Sequence, residues 1–150
     1  MLHVNSLAEL EKRLTSAISD SLRDMGGNMQ KIVREELYDG VYASYAPTEY
    51  KRNHSLLGSL DNKMVGNNEL VIEHDTSKIS AFSLKTGASV AHFLPDIVHN
   101  TGAPNIFNKY KYPWMSPRPY MDNTIKRLNS SREHEAAMKK YLYQQGFSSR

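Results

Sequence analysis

Apolar residues at helical spacing dominate the first quarter of the chain. They recur at steps of three and four residues, which keeps them on one side of a helix. The set comprises Leu7, Leu10, Leu14, Ile18, Leu22, Met25, Met29, Ile32, Val33 and Leu37. Ser6 and Glu9 match a capping box, because each can bond an unpaired backbone N–H of the first turn. The pattern predicts an amphipathic helix over about 6–38, which is about 45 Å long at about 1.5 Å per residue.

Two adjacent glycines, Gly26 and Gly27, interrupt this pattern. A glycine in a helix interior costs about 1 kcal/mol relative to alanine. The pair is therefore compatible with a bend in one helix, or with two helices over 6–25 and 28–38. A compact domain of 150 residues has a radius of gyration of about 15 Å. A continuous helix of this length predicts either a part that projects or packs on a neighbouring subunit, or a helix that lies across a sheet.

The rest of the chain predicts a loop, a group of strands and a second helix. The segment 40–66 is rich in Tyr, Ser, Asn and Gly, which predicts a long loop with short extended pieces. Short β-type runs bounded by turn residues predict the sheet region over 67–112. A C-terminal helix is predicted over about 119–145. Strands grouped between helices favour an α+β fold with a long N-terminal helix, a small antiparallel β-sheet and a C-terminal helix, in one domain spanning 1–150.

Prolines and a glycine mark boundaries in the second half of the chain. The stretch 89–102 is compatible with a strand or a short helix, and Pro95 predicts a break within it. Pro119 suits the first position of the C-terminal helix, because its missing N–H costs nothing there. Gly146 followed by Phe147 predicts the cap that ends this helix.

Composition excludes several classes of protein. The chain has no cysteine, so a disulfide scaffold and a cysteine-based zinc site are excluded. No apolar run approaches the roughly 20 residues that cross a bilayer, and charges near the N-terminus argue against a signal peptide. We therefore expect a soluble protein, cytoplasmic at synthesis, with no membrane partner. The net charge of +3 is dispersed along the chain, so a dedicated nucleic-acid arm is not expected.

Histidines are the residues most suggestive of chemistry. His92, Asp96 and His99 could share one face of a helix and suit a metal ion, but Pro95 lies among them. His54 could act as a base beside a carboxylate. The sequence contains no nucleophile elbow, phosphate loop or zincin motif. We therefore expect no enzyme, no catalytic residues, no cofactor and no metal site.

Two segments resemble a known family. They are YAPTEYKRNHSLLGSL at 45–60 and VHNTGAPNIFNKYKYPWMSPRPYMDNTIKRL at 98–128. Together they resemble the neck and tail-completion family of tailed bacteriophages, which comprises minor tail and head–tail joining components. Its members have an amphipathic N-terminal helix, a Tyr-x-Pro segment with basic residues, and a small sheet. A Val-x-x-Gly-Thr element follows, and an Arg-Pro-aromatic sequence opens the C-terminal helix.

The resemblance rests on individual positions. Pro47 takes the place of the family's proline, and Lys51 with Arg52 that of its basic pair. The dipeptide Asn-His at 53–54 stands where Thr-Gly is usual, so the chain departs from the family there. The remaining matches are Leu57, Ser59, the Val98–Gly102 element and Arg118-Pro119-Tyr120-Met121.

This resemblance implies a non-enzymatic virion structural protein of the phage neck or tail end. Such a protein forms a ring, a cyclic homo-oligomer that completes the tail or joins it to the head. The implied partners are other copies of the chain and neck and tail proteins, namely a head-completion or stopper protein, a tail terminator or the tail tube. Genomic DNA would pass through without sequence-specific binding. The implied location is the virion, and the host cytoplasm during assembly.

A second class of function stays open from the residues themselves. A pI near 9.0 and nine tyrosines suggest, as the alternative, a small nucleic-acid-binding or nuclease-like protein.

The segment PWMSPRPYM supplies most of the candidate interface residues. Pro117 and Pro119 hold Arg118 in an extended approach to the helix, because a residue before proline is driven away from helical geometry. This arrangement aims Arg118, Trp114 and Tyr120 at a partner, with little ordering entropy left to lose. Alternatively, Trp114 and Tyr120 cap the end of the protein's own core. The candidate protein–protein interface comprises Lys51, Arg52, Trp114, Arg118 and Tyr120.

Overall fold

The structure, a computed structural model, describes residues 6–44, 53–82, 87–92, 94–101 and 116–147. Its elements are α1 Leu7–Leu37, a π-helical turn Tyr38–Ala43, α2 Ser55–Gly58, β1 Leu60–Val65, β2 Glu69–His74, a 3-10 turn Thr76–Lys78, α3 Leu94–Asp96 with a π-helical turn Ile97–Thr101, α4 Tyr120–Ser131 and α5 Glu133–Gln144. The predicted α+β class, with a long N-terminal helix, an antiparallel sheet and C-terminal helices, is confirmed. Within the described residues, no helix is long and apolar enough to cross a membrane.

Helix α1 is continuous, so the alternative of two separate helices is wrong. Ser6 begins it as predicted, because its Oγ accepts a hydrogen bond from the Glu9 N–H at 3.2 Å. The helix runs through both glycines without a break. Packing explains Gly26: a Cβ at this position would lie 2.5 Å from Asn62 Oδ1. The first glycine therefore allows a close approach of strand β1, and it does not mark a break.

Strands β1 and β2 form a two-stranded antiparallel hairpin. Strand β2 includes the apolar run at 70–72, from which a strand was predicted. Strand β1 lies inside the segment 40–66, which was predicted to be a long loop with short extended pieces, and it is the longest extended piece that the structure describes there. Its sequence, LDNKMV, carries three polar residues, and only every second side chain is covered. A partly covered strand of this kind lacks the apolar run that predicts a β-strand.

The described residues after β2 contain little further sheet. Among the described residues of the predicted sheet region 67–112, the contact outside the hairpin is a single antiparallel bridge between Phe82 and Ser89. The stretch that was compatible with a strand or a helix is helical over 94–101. Pro95 lies in the first turn of this short helix, where a missing N–H is tolerated, and the helix begins at Leu94 after the bridge residue Ser89.

The predicted C-terminal helix 119–145 is two helices, α4 and α5. They are separated at Arg132, whose φ of 53° is left-handed. The end of α5 confirms the predicted cap: Gly146 has a φ of 88°, and the Phe147 N–H donates to the Leu142 carbonyl at 3.0 Å. This bond and the left-handed glycine define a Schellman motif.

The segments group into two compact units. The first comprises Met1–Lys31, Asn62–Ile72 and Arg127–Arg150. Within it, Asn28 Nδ2 donates to the Tyr141 hydroxyl at 2.9 Å, and Asn62 Nδ2 donates to Gln30 Oε1 at 2.7 Å. The second comprises Ile32–Asp61 and Glu73–Lys126. Its buried apolar residues are Ile32, Val33, Leu37, Val41, Leu56, Leu60, Ile79, Ala91, Val98 and Tyr120. The single domain predicted over 1–150 stays a prediction.

Candidate functional site

A chain of hydrogen bonds joins three side chains inside the second unit. His74, at the end of β2, lies between Ser59 and Tyr120. Its Nδ1 is 2.7 Å from Ser59 Oγ, and its Nε2 is 2.6 Å from the Tyr120 hydroxyl. Ser59 Oγ also donates to the Leu56 carbonyl at 2.8 Å. The chain therefore runs from the first residue of α4, through β2, to the end of α2.

These contacts favour one assignment of the proton positions. Ser59 has one hydroxyl proton, and it is donated in the hydrogen bond to the Leu56 carbonyl. His74 Nδ1–H must then donate to Ser59 Oγ, which leaves Nε2 as the acceptor of the Tyr120 hydroxyl proton. In this assignment every member of the chain is neutral and has a partner. We name these residues, Ser59, His74 and Tyr120, the buried triad.

Burial sets the electrostatics of the buried triad. It lowers the pKa of the His74 imidazole from its ordinary value of 6.5 to about 4, because the charged form loses its solvation. The pKa of Tyr120 is raised, first by burial and second by the nearby Tyr42. Both shifts favour the neutral forms. The electrostatics thus agree with the proton positions that the hydrogen bonds require.

The buried triad resembles a serine–histidine catalytic pair only in its atoms. Ser59 and Tyr120 are 0% and 2% exposed, so a substrate has no path to the serine hydroxyl in this arrangement. The Ser59 proton points at a carbonyl and not at the imidazole, which is the reverse of what nucleophile activation needs. A histidine with a pKa of about 4 is also a weak base near neutral pH. The arrangement is suited to holding α4 in place.

A second histidine ring also contacts Tyr120. The His99 and Tyr120 rings are 5.4 Å apart at 89°, and the His74 and Tyr120 rings are 5.8 Å apart at 85°. Both arrangements are edge-to-face contacts that aromatic rings favour. His99 Nδ1 lies 2.6 Å from Asn100 Oδ1, and Asn100 Nδ2 donates to Asp96 Oδ1 at 2.8 Å. Tyr120 is thus held by its hydroxyl bond to His74 and by edge-to-face contacts with two histidine rings.

Arg118 precedes this anchor by two residues. Its backbone N–H donates to the Val98 carbonyl at 2.8 Å, and its own carbonyl accepts from the Tyr120 N–H at 2.8 Å. The second bond closes a tight turn around Pro119, whose ring fixes the φ that such a turn needs. Arg118 is half-buried, with Nη1 3.5 Å from the Val41 carbonyl. The backbone of Arg118 is therefore fixed from both sides.

The structure places the predicted interface residues in different settings. Lys51, Arg52 and Trp114 lie outside the described residues. Tyr120 is buried in its own chain, so the core-capping alternative describes it. Arg118 is half-buried beside Tyr120, and its role at an interface stays a prediction.

The histidines and aspartate considered for a metal are engaged by polar side chains. His92 Nδ1 lies 3.2 Å from Thr76 Oγ1, whereas Asp96 and His99 both contact Asn100. In the part of the chain that the structure describes, no group of three His, Asp or Glu side chains is placed to hold a metal ion. His54 has left-handed backbone geometry, and its ring stacks on Tyr42 at 4.5 Å.

Sequence reasoning missed His74 and Ser59 as members of a site. A signal for His74 exists, because it shares strand parity with Leu70 and Ile72, whose side chains are partly covered. Period-two alternation thus puts this histidine on the covered face of β2. Ser59 has no comparable signal, since it follows a four-residue helix that the sequence does not predict.

The fold and site define a small α+β protein in which an Arg-Pro-Tyr-Met helix start is anchored from within. The chain belongs to the YomN family, whose model matches residues 6–144. This family is phage-derived (SPbeta-like), which agrees with the expected bacteriophage origin. Searches of the curated proteins and of the solved structures each found no match.

Proposed function

We propose that this protein is a non-enzymatic structural component of the phage neck or tail end. It forms a ring of identical copies that completes the tail or joins it to the head, around the path of the genome. Its partners are further copies of itself and neighbouring neck or tail proteins, such as a stopper, a tail terminator or the tail tube. It resides in the virion after assembly in the host cytoplasm.

The observation that carries this proposal is the pre-organised start of α4. The buried triad fixes Tyr120, and the turn at Pro119 fixes the backbone of Arg118 relative to it. Arginine presents five N–H donors in a rigid fork. A half-buried arginine on a fixed backbone loses little conformational entropy when a partner binds it. This is the property expected of an interface anchor.

The family membership supports the phage setting of the proposal. The matched residues 6–144 include α1, the hairpin and the whole Arg118–Met121 motif. The same motif opens the C-terminal helix in the neck and tail-completion proteins that the sequence resembles. A phage-derived protein with such a helix start and a long N-terminal helix whose first turns are exposed fits an assembly role.

Arg118→Ala tests the anchor, with Arg23→Ala as the matched control. Arg23 is 66% exposed and pairs with Asp20 at 3.1 Å on the surface of α1. We expect the free energy of unfolding of both variants to lie within about 1 kcal/mol of the wild-type value. Only Arg118→Ala should impair joining of tail to head, because an interface anchor contributes about 2 kcal/mol or more. Normal infectious particles from Arg118→Ala would remove Arg118 as an anchor.

Native mass spectrometry of the purified protein and of disassembled particles tests the ring. We expect a closed set of identical copies in the particle. A single copy per particle would refute the ring. Tight binding of the isolated protein to DNA, with an affinity that falls steeply with salt, would instead support the nucleic-acid-binding alternative.

A further inference from the structure

The first three turns of α1 carry three exposed leucines on one side. Leu7, Leu10 and Leu14 are 81%, 40% and 41% exposed, and we name them the leucine stripe. Every residue over 6–16 is exposed except the half-buried Glu9. The spacing of the three leucines, three and then four residues, is that of positions a, d and a in a heptad. Apolar residues at this spacing on a well-formed helix suit contact with another helix.

The leucine stripe continues the buried face of the same helix. About one, two and three turns further along, on the same side, Ala17, Ser21 and Met25 are 4%, 0% and 5% exposed. The exposed turns are also well formed, because Ser6 caps them and Arg13 Nη2 lies 2.6 Å from Glu9 Oε1. The stripe is thus a core face that the described chain covers only from Ala17 onward.

Charges beside the leucine stripe select the occupant and its direction. At about 100° per residue, Glu11 lies about 65° to one side of the stripe's centre and Arg13 about 95° to the other. Two antiparallel copies would bring Glu11 against Glu11. Parallel copies bring the Glu11 side of one helix against the Arg13 side of the next, about 3 Å apart along the axis. Opposite charges therefore meet only in the parallel arrangement.

We infer that the first three turns of α1 pack in parallel against the same turns of neighbouring copies, with Glu11 of one copy facing Arg13 of the next. This inference rests on the proposed ring. Each helix offers an acidic side to one neighbour and a basic side to the other, which is a head-to-tail contact of the kind that closes a ring. Arg13 keeps its bond to Glu9, because a guanidinium has five donors.

The contact between two copies alone is small. Three partly exposed leucines supply far less than the roughly 800 Å² per partner of a standard interface. Each copy in a closed ring makes two such contacts, and other surfaces raise the effective concentration of the helices. We therefore expect the helices to associate strongly in the assembled ring and weakly in dilute solution.

Single introduced cysteines test the contact, and no native thiol can form a competing disulfide because the chain has no cysteine. Leu7→Cys and Leu14→Cys lie on the leucine stripe, and Ala8→Cys is an exposed control on another side of the helix. We expect the two stripe variants to form disulfide dimers at least about tenfold faster than the control, in concentrated protein and in particles. Equal rates for all three variants would overturn the inference. Cross-linking only when Leu7→Cys and Leu14→Cys are mixed would show antiparallel pairing and overturn it equally.

Charge reversal tests the pairing between neighbours. In a Leu10→Cys background, Glu11→Arg alone and Arg13→Glu alone should each slow cross-linking, because like charges then face each other. A mixture of the two variants should restore it. Lys12→Glu, on the opposite side of the helix, is the control and should change little. If the mixture stays as slow as each variant alone, Glu11 does not face Arg13.

The outcomes separate this inference from the proposed function. A ring in the particle without faster cross-linking on the leucine stripe would refute the helix contact alone. A single copy in the particle would refute the ring and, with it, the helix contact.

Discussion

Gly26 and Gly27 are neighbours in α1 with opposite surroundings, so alanine at each position separates helix propensity from packing. A Cβ on Gly26 would lie 2.5 Å from Asn62 Oδ1 and 3.1 Å from Asn62 Cγ, whereas at Gly27 nothing lies within 4 Å. Alanine exceeds glycine in a helix interior by about 1 kcal/mol. We expect Gly27→Ala to stabilise the protein by about 0.5–1 kcal/mol, because it gains this propensity without a clash.

Gly26→Ala gains the same propensity but must displace Asn62. Asn62 Nδ2 donates to Gln30 Oε1 at 2.7 Å, and a displaced side chain gives up that bond. Loss of the bond costs about 1 kcal/mol, and overpacking a filled site costs about 1–3 kcal/mol. After the helix gain is subtracted, the expected net loss is about 1–3 kcal/mol.

Thermal unfolding followed by circular dichroism distinguishes the two variants. A change of 1 kcal/mol corresponds to about 2–4 °C in a chain of this size. Gly27→Ala should therefore melt above the wild type and Gly26→Ala below it. In an Asn62→Ala background the clash is removed, and Gly26→Ala should no longer destabilise the protein. If Gly26→Ala is as stable as Gly27→Ala in the native background, β1 does not approach α1 in this way and the reasoning fails.

Three further expectations concern the second half of the chain. Tyr120→Phe should lower the free energy of unfolding by about 1–3 kcal/mol in urea titrations, because it leaves His74 Nε2 without its donor. The pKa of His74 is 6.5 in the unfolded state and about 4 in the folded state, so between these pH values the unfolded state binds a proton at His74 that the folded state does not bind. Stability should thus fall as the pH drops through this window, by at most about 3 kcal/mol, and His74→Gln should flatten that part of the urea-midpoint profile. Arg132→Gly should raise the melting temperature, because glycine adopts the left-handed φ of 53° at this position without strain.

The sequence predicts those parts of the fold whose cause is local. The stripe over Leu7–Leu37 and the Ser6 cap predict α1, because period and capping act within one element. The Gly146 cap at the end of α5 is likewise predicted, since only a few adjacent residues build it. Local physics determines these features, so no knowledge of the rest of the chain is needed.

Features that depend on distant residues are not predicted. From the sequence, Gly26 looks like an interruption of the helix. Its cause is Asn62, whose side chain occupies the space that a Cβ on residue 26 would need and which lies far along the chain. Strand β1 reads as loop because its polar residues gain strand geometry only by pairing with β2. Arg132 separates α4 from α5 although arginine is a good helix former. A weak apolar pattern around 130–135 is the only local sign of that separation.

The candidate site shows the same division within a single motif. Arg-Pro-Tyr is recognisable from sequence, and the effect of Pro119 on Arg118 follows from sterics alone. The role of Tyr120 does not, because its partner His74 is 46 residues away. Tyr120 was predicted as a contact for a partner, yet its burial is what fixes the backbone that carries Arg118. A buried tyrosine fixes the start of α4, the proline sets the turn, and the arginine two residues earlier is held at a defined position. Disruption of the buried triad should therefore weaken any function of Arg118 without touching the guanidinium itself.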